Sequence, residues 1–344
     1  MEKIRLGKTN MMVTRLGFGS IPIQRVSDAD AIAVIRRCLD LGINYIDTAN
    51  SYTTSEERIG KAISGRRESV IIATKSLART REGVASHLEL SLERLNTSYI
   101  DLYQFHNVSD SHTLKAILDP DGPRAIAEKA KKAGRIRHIG VTSHTMDIAQ
   151  QLVKSGVFET IMFPFNFMTD EPARELLPLV REQDMGFIAM KPLSGGMITN
   201  VALSFKYLWQ FPDIVTIPGI EKISEIEEIV HIVNGPLRMT PAEEKEVTHL
   251  KKETGNRFCR RCEYCQPCAQ EIPISAIMTA DGTIKRTPPE VYIKMLDGAM
   301  DKASTCLKCG ECEERCPYHL PIREMIDENM KLYQQAKKRY LTTK

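Results

Sequence analysis

The sequence has 344 residues, 42% of them apolar and 26% charged, an ordinary globular balance that argues against a disordered chain. The formal net charge is +3, with 15 Lys/Arg and 12 Asp/Glu in residues 255–344 and 32 of each sign before them, so no basic face for nucleic acid is expected. Met1-Glu2-Lys3-Ile4-Arg5 lacks the apolar run of a signal peptide, and no stretch reaches the roughly 18 apolar residues of a membrane span, so a cytoplasmic protein with no membrane partner is expected.

In chain order, Lys3 to Val13 predicts a hairpin turning through Gly7-Lys8-Thr9-Asn10, placed to cover one end of a barrel. From Leu16 to Val233 short β-rich runs alternate with helical patterns, the signature of repeated βα units around a parallel sheet. The predicted strands are Leu16-Phe18, Asn44-Asp47, Val70-Thr74, Asp101-Phe105, His138-Val141, Thr160-Phe163, Gly186-Met190 and Ile214-Ile217. Eight such units predict a closed TIM (β/α)8 barrel, which takes roughly 250 residues. In the first helix Ile32, Ile35 and Leu39 recur at helical spacing, with Asp28 as the expected cap.

Pro236 and Thr240-Pro241 then punctuate the chain, and a helix follows with Glu243-Glu244 in its first turn and Lys251-Lys252 in its last. Gly255-Asn256 opens a cysteine-rich region, which places the barrel at 1–238, a connecting helix at 239–255 and a second domain at 256–344. Pro288-Pro289 introduces one more helical pattern there. The stretch Ile322 to Tyr340 repeats Met325, Asn329 or Met330, and Tyr333, and ends in Lys337-Lys338-Arg339, as suits the C-terminal end of a helix dipole.

Eight of the nine cysteines fall between Cys259 and Cys316. Cys306-x2-Cys309-x2-Cys312-x3-Cys316-Pro317 matches the bacterial ferredoxin run, proline included. Three thiolates two residues apart wrap one corner of a cubane, and in two-cluster ferredoxins the fourth serves the other cluster. The first run, Cys259-x2-Cys262-x2-Cys265-x2-Cys268, is shorter by one residue before its fourth cysteine and has Ala269 where proline is expected. If the exchange holds, one 4Fe-4S cluster takes Cys259, Cys262, Cys265 and Cys316, and the other takes Cys306, Cys309, Cys312 and Cys268. Zinc is the competing reading, since paired C-x2-C units also build tetrahedral sites. The result is a mainly helical, ferredoxin-like domain with two 4Fe-4S clusters. Cys38, alone on a helix face, reads as packing.

In a barrel of this kind function sits at the C-terminal ends of the strands. Asp47, Lys75 and His106 end the second, third and fourth predicted strands, and Tyr52 follows in the loop after Asp47. Singly each has an ordinary structural use; four on one rim, after three successive strands, are harder to dismiss. Here the sequence resembles the aldo-keto reductase family over roughly residues 3–235, and the whole chain resembles the prokaryotic branch of that family bearing a C-terminal 4Fe-4S domain. The matching residues are Asp47-Thr48-Ala49 with Tyr52, Ala73-Thr74-Lys75, Asp101-Leu102-Tyr103 leading to His106, and Gly140-Val141-Thr142-Ser143-His144. Phe165-Asn166, Lys191-Pro192-Leu193 with Gly195-Gly196, and Ile217-Pro218-Gly219 continue the match.

The resemblance implies a catalytic tetrad of Tyr52, Lys75, Asp47 and His106. Tyr52 would give a proton to a carbonyl oxygen, Lys75 would bring down a phenol pKa ordinarily near 10, Asp47 would hold Lys75 charged, and His106 would orient the carbonyl and share the proton work. The hydride must come from a cofactor, NADP or NAD in this family. Ser143 and Asn166 would touch the nicotinamide end, with His144 at a position for its amide, Lys191 would also contact the cofactor, and Pro218, Gly219, Lys222 and Ser224 would lie toward the phosphates, at a helix N-terminus. The sequence departs from the family at Glu225, where NADPH-using relatives place an arginine, at His144 for asparagine and at Met162 for glutamine.

A cluster moves one electron at a time and a hydride carries two. A bound flavin would convert between them; alternatively the clusters are structural, sense redox state or serve a redox partner protein such as a ferredoxin. Two readings stand: an NAD(P)-linked oxidoreductase acting on a small carbonyl or alcohol, and an electron-transfer or redox-sensing protein whose barrel binds a ligand or flavin without hydride transfer.

Overall fold

The computed structural model describes residues 1–261 and 263–342. Two short strands, β1 (Lys3–Arg5) and β2 (Met12–Thr14), pair antiparallel, with Lys3 opposite Thr14. The chain turns between them through Gly7–Thr9 and Asn10, which lies in the left-handed region. Eight parallel strands come next: β3 (Phe18–Gly19), β4 (Tyr45–Asp47), β5 (Ile71–Ser76), β6 (Ile100–Phe105), β7 (Ile136–Thr142), β8 (Thr160–Pro164), β9 (Gly186–Met190) and β10 (Ile214–Ile217). Each pairs with the next in sequence. Bridges Leu16 to Thr216 and Gly19 to Gly219 close β3 onto β10, so the sheet is a TIM (β/α)8 barrel.

All eight strands predicted from the sequence are present, with ends displaced by a few residues. The first helix, Asp28–Asp40, differs at its start: Ser27 is the cap, its Oγ accepting from the Asp30 amide, and Asp28 is the first helical residue. Asp28 is drawn instead into ion pairs with Arg58 and Lys61. Ala31, Val34, Ile35 and Cys38 form the buried face, with Cys38 packed among aliphatic side chains.

The apolar residues sort into two layers, as alternation along a barrel strand requires. Those pointing outward pack under the helices; Tyr45, Ala73, Leu102, Ile188 and Val215 point inward and meet Leu6 and Val13 of the hairpin. The hairpin thus plugs the end at which the strands begin. Gly7 is required there: its φ is +50°, and a Cβ would lie 2.2 Å from the Gly186 amide nitrogen. The opposite end is where the strands finish.

One ion-pair cluster ties this wall together. Glu159, just before β8, accepts from the Ile139 amide at 2.9 Å and Lys131 at 2.6 Å, and meets His138 Nδ1 at 2.6 Å. Burial pushes its carboxyl pKa up, but the bonds from His138, Lys131 and the Ile139 amide outweigh it and hold the group at about 2. A depressed carboxyl stabilises the fold above its ordinary range and loses that contribution as pH falls from about 4.5 toward 2. Glu159→Gln is therefore expected to cost about 1–3 kcal/mol near neutral pH, with the difference vanishing in acid, as read by urea unfolding at several pH values.

The chain divides into two compact units, one of Met1–Ser194 with Ile198–Met239, the other of Gly195–Met197 with Thr240–Lys344. The second is helical. Its helix Pro241–Thr254 starts with a capping box in which Thr240 and Glu243 satisfy each other's amides. The helices Ile274–Met278, Pro289–Ala303 and Ile322–Thr342 enclose a core that includes Ile277, Tyr292, Leu296, Met325 and Tyr333, with most of the cysteines packed against it. Among the described residues no helix is long and apolar enough to cross a membrane.

Candidate active site

Asp47 ends β4, Lys75 is the penultimate residue of β5, and His106 directly follows β6, so three neighbouring strands deliver them to one rim. Period-two alternation points Tyr45 and Asp47, Ala73 and Lys75, and Leu102, Gln104 and His106 to the inside. Tyr52 comes from the loop after β4. That loop is pinned to β5 by the Asn50 amide on the Lys75 carbonyl at 2.9 Å, and Arg94 holds the Asn50 carbonyl at 3.0 Å.

Lys75 and Asp47 are only 2% and 3% exposed. Lys75 Nζ donates to Asp47 Oδ1 at 2.5 Å and to the Thr48 carbonyl at 2.6 Å, and a third hydrogen bond links it to Tyr52. All three ammonium hydrogens are thereby used. Burial alone would lower the Lys75 pKa; the Asp47 charge, then Tyr52, reverse this and raise it, so the side chain stays protonated. Nζ lies 5.0 Å from the centroid of the Tyr52 ring, and the Tyr52 and His106 rings meet edge to face at 5.8 Å. Burial, then the Lys75 and Arg79 charges, push the His106 pKa well below the usual histidine range, so the imidazole is neutral near pH 7. Its Nδ1 is buried with no partner among the described residues.

Two neighbours of the tetrad are not marked by the sequence pattern. Gln104 donates to Asp47 Oδ2 at 3.2 Å, fixing the second carboxylate oxygen; its place on β6, two residues before His106 in the inward-facing alternation, is the one signal that points to it. Arg79 donates to the His106 carbonyl at 2.5 Å from a loop with no regular spacing to single it out.

The residues expected to meet the cofactor lie on the ends of β7 to β10 and the loops beyond. Ser143 is buried, with Oγ 3.3 Å from both the amide and the carbonyl of Thr145. His144 Nδ1 meets Asn107 Oδ1 at 2.9 Å. Asn166 is saturated: its Nδ2 donates to the Lys191 carbonyl and Ser194 Oγ, and its Oδ1 accepts from the Met168 and Thr169 amides. It fastens the segment at Lys191, whose φ of +57° is unusual for a side chain of this size. Pro218 and Gly219 follow β10, with the Pro218 carbonyl accepting from the Gly19 amide. The next helix, Ile223–Val233, has Lys222 at its cap and Ser224 exposed in its first turn. Glu225 turns back on that N-terminus, one carboxylate oxygen accepting from the Glu221 amide at 2.9 Å and the Lys222 amide at 3.1 Å. These amides, which suit an anion, already hold one. At the mouth of the barrel, Ser20 Oγ at the end of β3 is, like His106 Nδ1, buried and unpartnered, so hydrogen-bonding capacity remains there for a bound polar group.

In the second unit the two cysteine runs have the same backbone plan. Arg261 and Glu263 flank Cys262 with φ of 61° and 65°, and Lys308 and Gly310 flank Cys309 with 54° and 90°. Cys262 itself lies outside the described residues. Three residues beyond the last cysteine of each run, Glu271 and His319 again have positive φ, and their amides donate to the carbonyls of Cys268 and Cys316 at 2.8 and 3.1 Å. Buried Ile272 and Ile274 follow Cys268 as Leu320 and Ile322 follow Cys316, each pair leading into a helix. Cys268 is therefore the structural counterpart of Cys316 despite the shorter spacing. The extra residue of the second run is taken up by the helical turn Glu311–Glu314.

Two cavities divide the cysteines. Cys268, Cys306, Cys309 and Cys312 line one, with Ile272, Ile274 and Ile326. Cys259 and Cys316 line the other, with Met278, Leu320 and Ile322. Cys265 borders both. The donor set and the apolar surroundings of each fit a thiolate-held cluster.

Comparison with known proteins gives a match to the model "Aldo/keto reductase family" at residues 15–207 and to "4Fe-4S dicluster domain" at residues 258–321. The chain is 30% identical over 217 residues to an uncharacterized oxidoreductase, YqkF, of Bacillus subtilis, covering 59% of this chain and 68% of that protein. It is 32% identical over 220 residues to L-galactose dehydrogenase of Arabidopsis thaliana, covering 58% and 68%. Among solved structures, the holo form of an aldo-keto reductase from Bacillus halodurans matches with a TM-score of 0.64 at 25% identity, over 73% of this chain and 96% of the other.

Proposed function

The chain belongs to the aldo/keto reductase family and is an oxidoreductase with a 4Fe-4S domain, and from that premise we propose that it reduces a small carbonyl compound, or oxidises the corresponding alcohol, with a nicotinamide cofactor. The observation that carries this reading is the convergence of Asp47, Lys75, Tyr52 and His106 at the C-terminal ends of the barrel strands. When bound, the nicotinamide supplies the hydride that no side chain can.

The residues divide the remaining work. Lys75 donates to Tyr52, so the phenol keeps its own proton for the carbonyl oxygen, and the adjacent ammonium stabilises the phenolate left behind. Asp47, held by Gln104, keeps Lys75 charged and directed at Tyr52. His106, being neutral, orients the carbonyl by a hydrogen bond and does not supply the proton. Ser143 and His144 bound the nicotinamide end, while Asn166 shapes the Lys191 segment. Lys222 and Ser224 lie toward the phosphates. The cysteines would hold two 4Fe-4S clusters, which would pass single electrons; a bound flavin would be needed to join them to hydride chemistry, whereas a one-electron partner protein would exchange electrons with them apart from the nicotinamide.

The Glu225 carboxylate favours NADH over NADPH, since the 2'-phosphate would add negative charge beside it. Anaerobically purified protein is expected to oxidise NADH when a small aldehyde or ketone is added. Glu225→Gln, which keeps the cap and removes the charge, is expected to raise kcat/KM for NADPH relative to NADH by about tenfold. An unchanged ratio would show that the 2'-phosphate does not approach this helix. The same carboxylate motivates the second reading, electron transfer or redox sensing without hydride transfer. Iron, flavin and nicotinamide analysis of one anaerobic sample, with no carbonyl-dependent NADH or NADPH oxidation, would favour it.

A further inference from the structure

Arg79 lies four residues after Lys75, in the loop between β5 and the helix Arg81–Arg94. Its Nη2 donates to the carbonyls of His106 at 2.5 Å and Asn107 at 3.3 Å, and its Nη1 to that of Ala78 at 3.1 Å. The guanidinium thus rests on the backbone that carries the tetrad imidazole. It is half-buried, its Nε has no partner, and no carboxylate among the described residues lies within 4.0 Å of it. The other barrel arginines withdrawn from solvent, Arg15, Arg58, Arg67, Arg94 and Arg124, each hold a carboxylate within that distance. Arg79 is the exception, and it is the one beside the tetrad.

A cation drawn out of water without a counter-ion is costly, and it persists where an anion arrives to complete it. Asp110 acts on Arg79 only at longer range. Lys75 is already paired with Asp47 at contact distance, so the cation beside His106 that lacks a counter-ion in contact is Arg79. Nη1 retains an N–H beyond its bond to Ala78, and a guanidinium matches the oxygens of a carboxylate or phosphate.

We propose that Arg79 binds an anionic group carried by the carbonyl substrate, so that the preferred substrate is an aldehyde or ketone bearing a carboxylate or a phosphate. This rests on the reductase reading and narrows its substrate class. It separates Arg79 from a mere clamp on the His106 loop, which would serve every substrate alike.

The test compares kcat/KM for matched pairs: pyruvate with methyl pyruvate in the carboxylate arm, glyceraldehyde 3-phosphate with glyceraldehyde in the phosphate arm. The wild-type protein is expected to favour the charged member of one pair by about tenfold or more. Arg79→Met is expected to erase that preference, chiefly through KM, and Arg79→Lys to restore part of it. A preference for neither charged member, or equal losses for both members of a pair in Arg79→Met, overturns the proposal. If no carbonyl is turned over, the reductase reading fails by itself. Calorimetric titration of the NADH-loaded protein with oxamate and with inorganic phosphate then decides the role of Arg79. Binding of either anion that is lost in Arg79→Met upholds the proposal; no binding, or binding indifferent to the substitution, overturns it.

Discussion

Tyr52→Phe is expected to lower carbonyl-dependent NADH oxidation by a factor of about 10²–10⁴, with iron content and thermal unfolding unchanged. The substitution removes one oxygen. The ring that meets His106 edge to face at 5.8 Å is retained, and Lys75 keeps its bonds to Asp47 and the Thr48 carbonyl. The local scaffold should therefore survive while the proton donor is lost. Under the proposed role the phenol acts where charge develops on the carbonyl oxygen, so the loss should fall on kcat, with the KM for NADH nearly constant. Lys75→Met should show a comparable fall in kcat, and additionally a loss of stability, since it leaves Asp47 buried without its cation. Activity in Tyr52→Phe within about threefold of wild type would end the reductase reading and leave electron transfer or redox sensing in its place.

The barrel is legible in the sequence because its signals are local and repeated. Eight apolar runs between amphipathic helices state the topology, and a turn such as Gly7 to Asn10 announces itself by residue type. The nearness of Asp47, Tyr52, Lys75 and His106 is legible because each ends a strand or lies shortly after one. What the sequence hides depends on the far partner. Glu225 is a local exception: it reads as a charge hostile to phosphate, and its bonds from the Glu221 and Lys222 amides, four and three residues back, belong to a helix start whose cap, Lys222, is not an ordinary capping residue. Asn166 reads as a contact for the nicotinamide, yet its four hydrogen bonds reach residues 168, 169, 191 and 194, a set fixed by the turn after β8 and the segment after β9. The cap of the first helix lies one residue earlier than expected for a similar reason: Asp28 has ion-pair partners 30 and 33 residues away, and Ser27 does not compete for them.

Cys268→Ser is expected to remove one whole cluster, lowering iron from about eight to about four atoms per chain and leaving the spectrum that Cys309→Ser leaves. Sequence spacing alone makes Cys268 the weakest ligand, being one residue early and followed by Ala269 where the other run has Pro317. The folded chain argues otherwise on two grounds. The positive-φ residue three positions on, with its amide returned to the cysteine carbonyl, is shared by Cys268 and Cys316. Cys268 also faces the cavity of Cys306, Cys309 and Cys312, and Cys316 that of Cys259. These placements support the proposal that the runs exchange their fourth ligands, under which Cys316→Ser should instead match Cys259→Ser. Iron analysis with electron paramagnetic resonance of the reduced proteins separates the two patterns. If Cys268→Ser and Cys259→Ser lose the same cluster, each run serves its own cubane; if Cys268→Ser keeps all its iron, the shortened run has only three ligands to give.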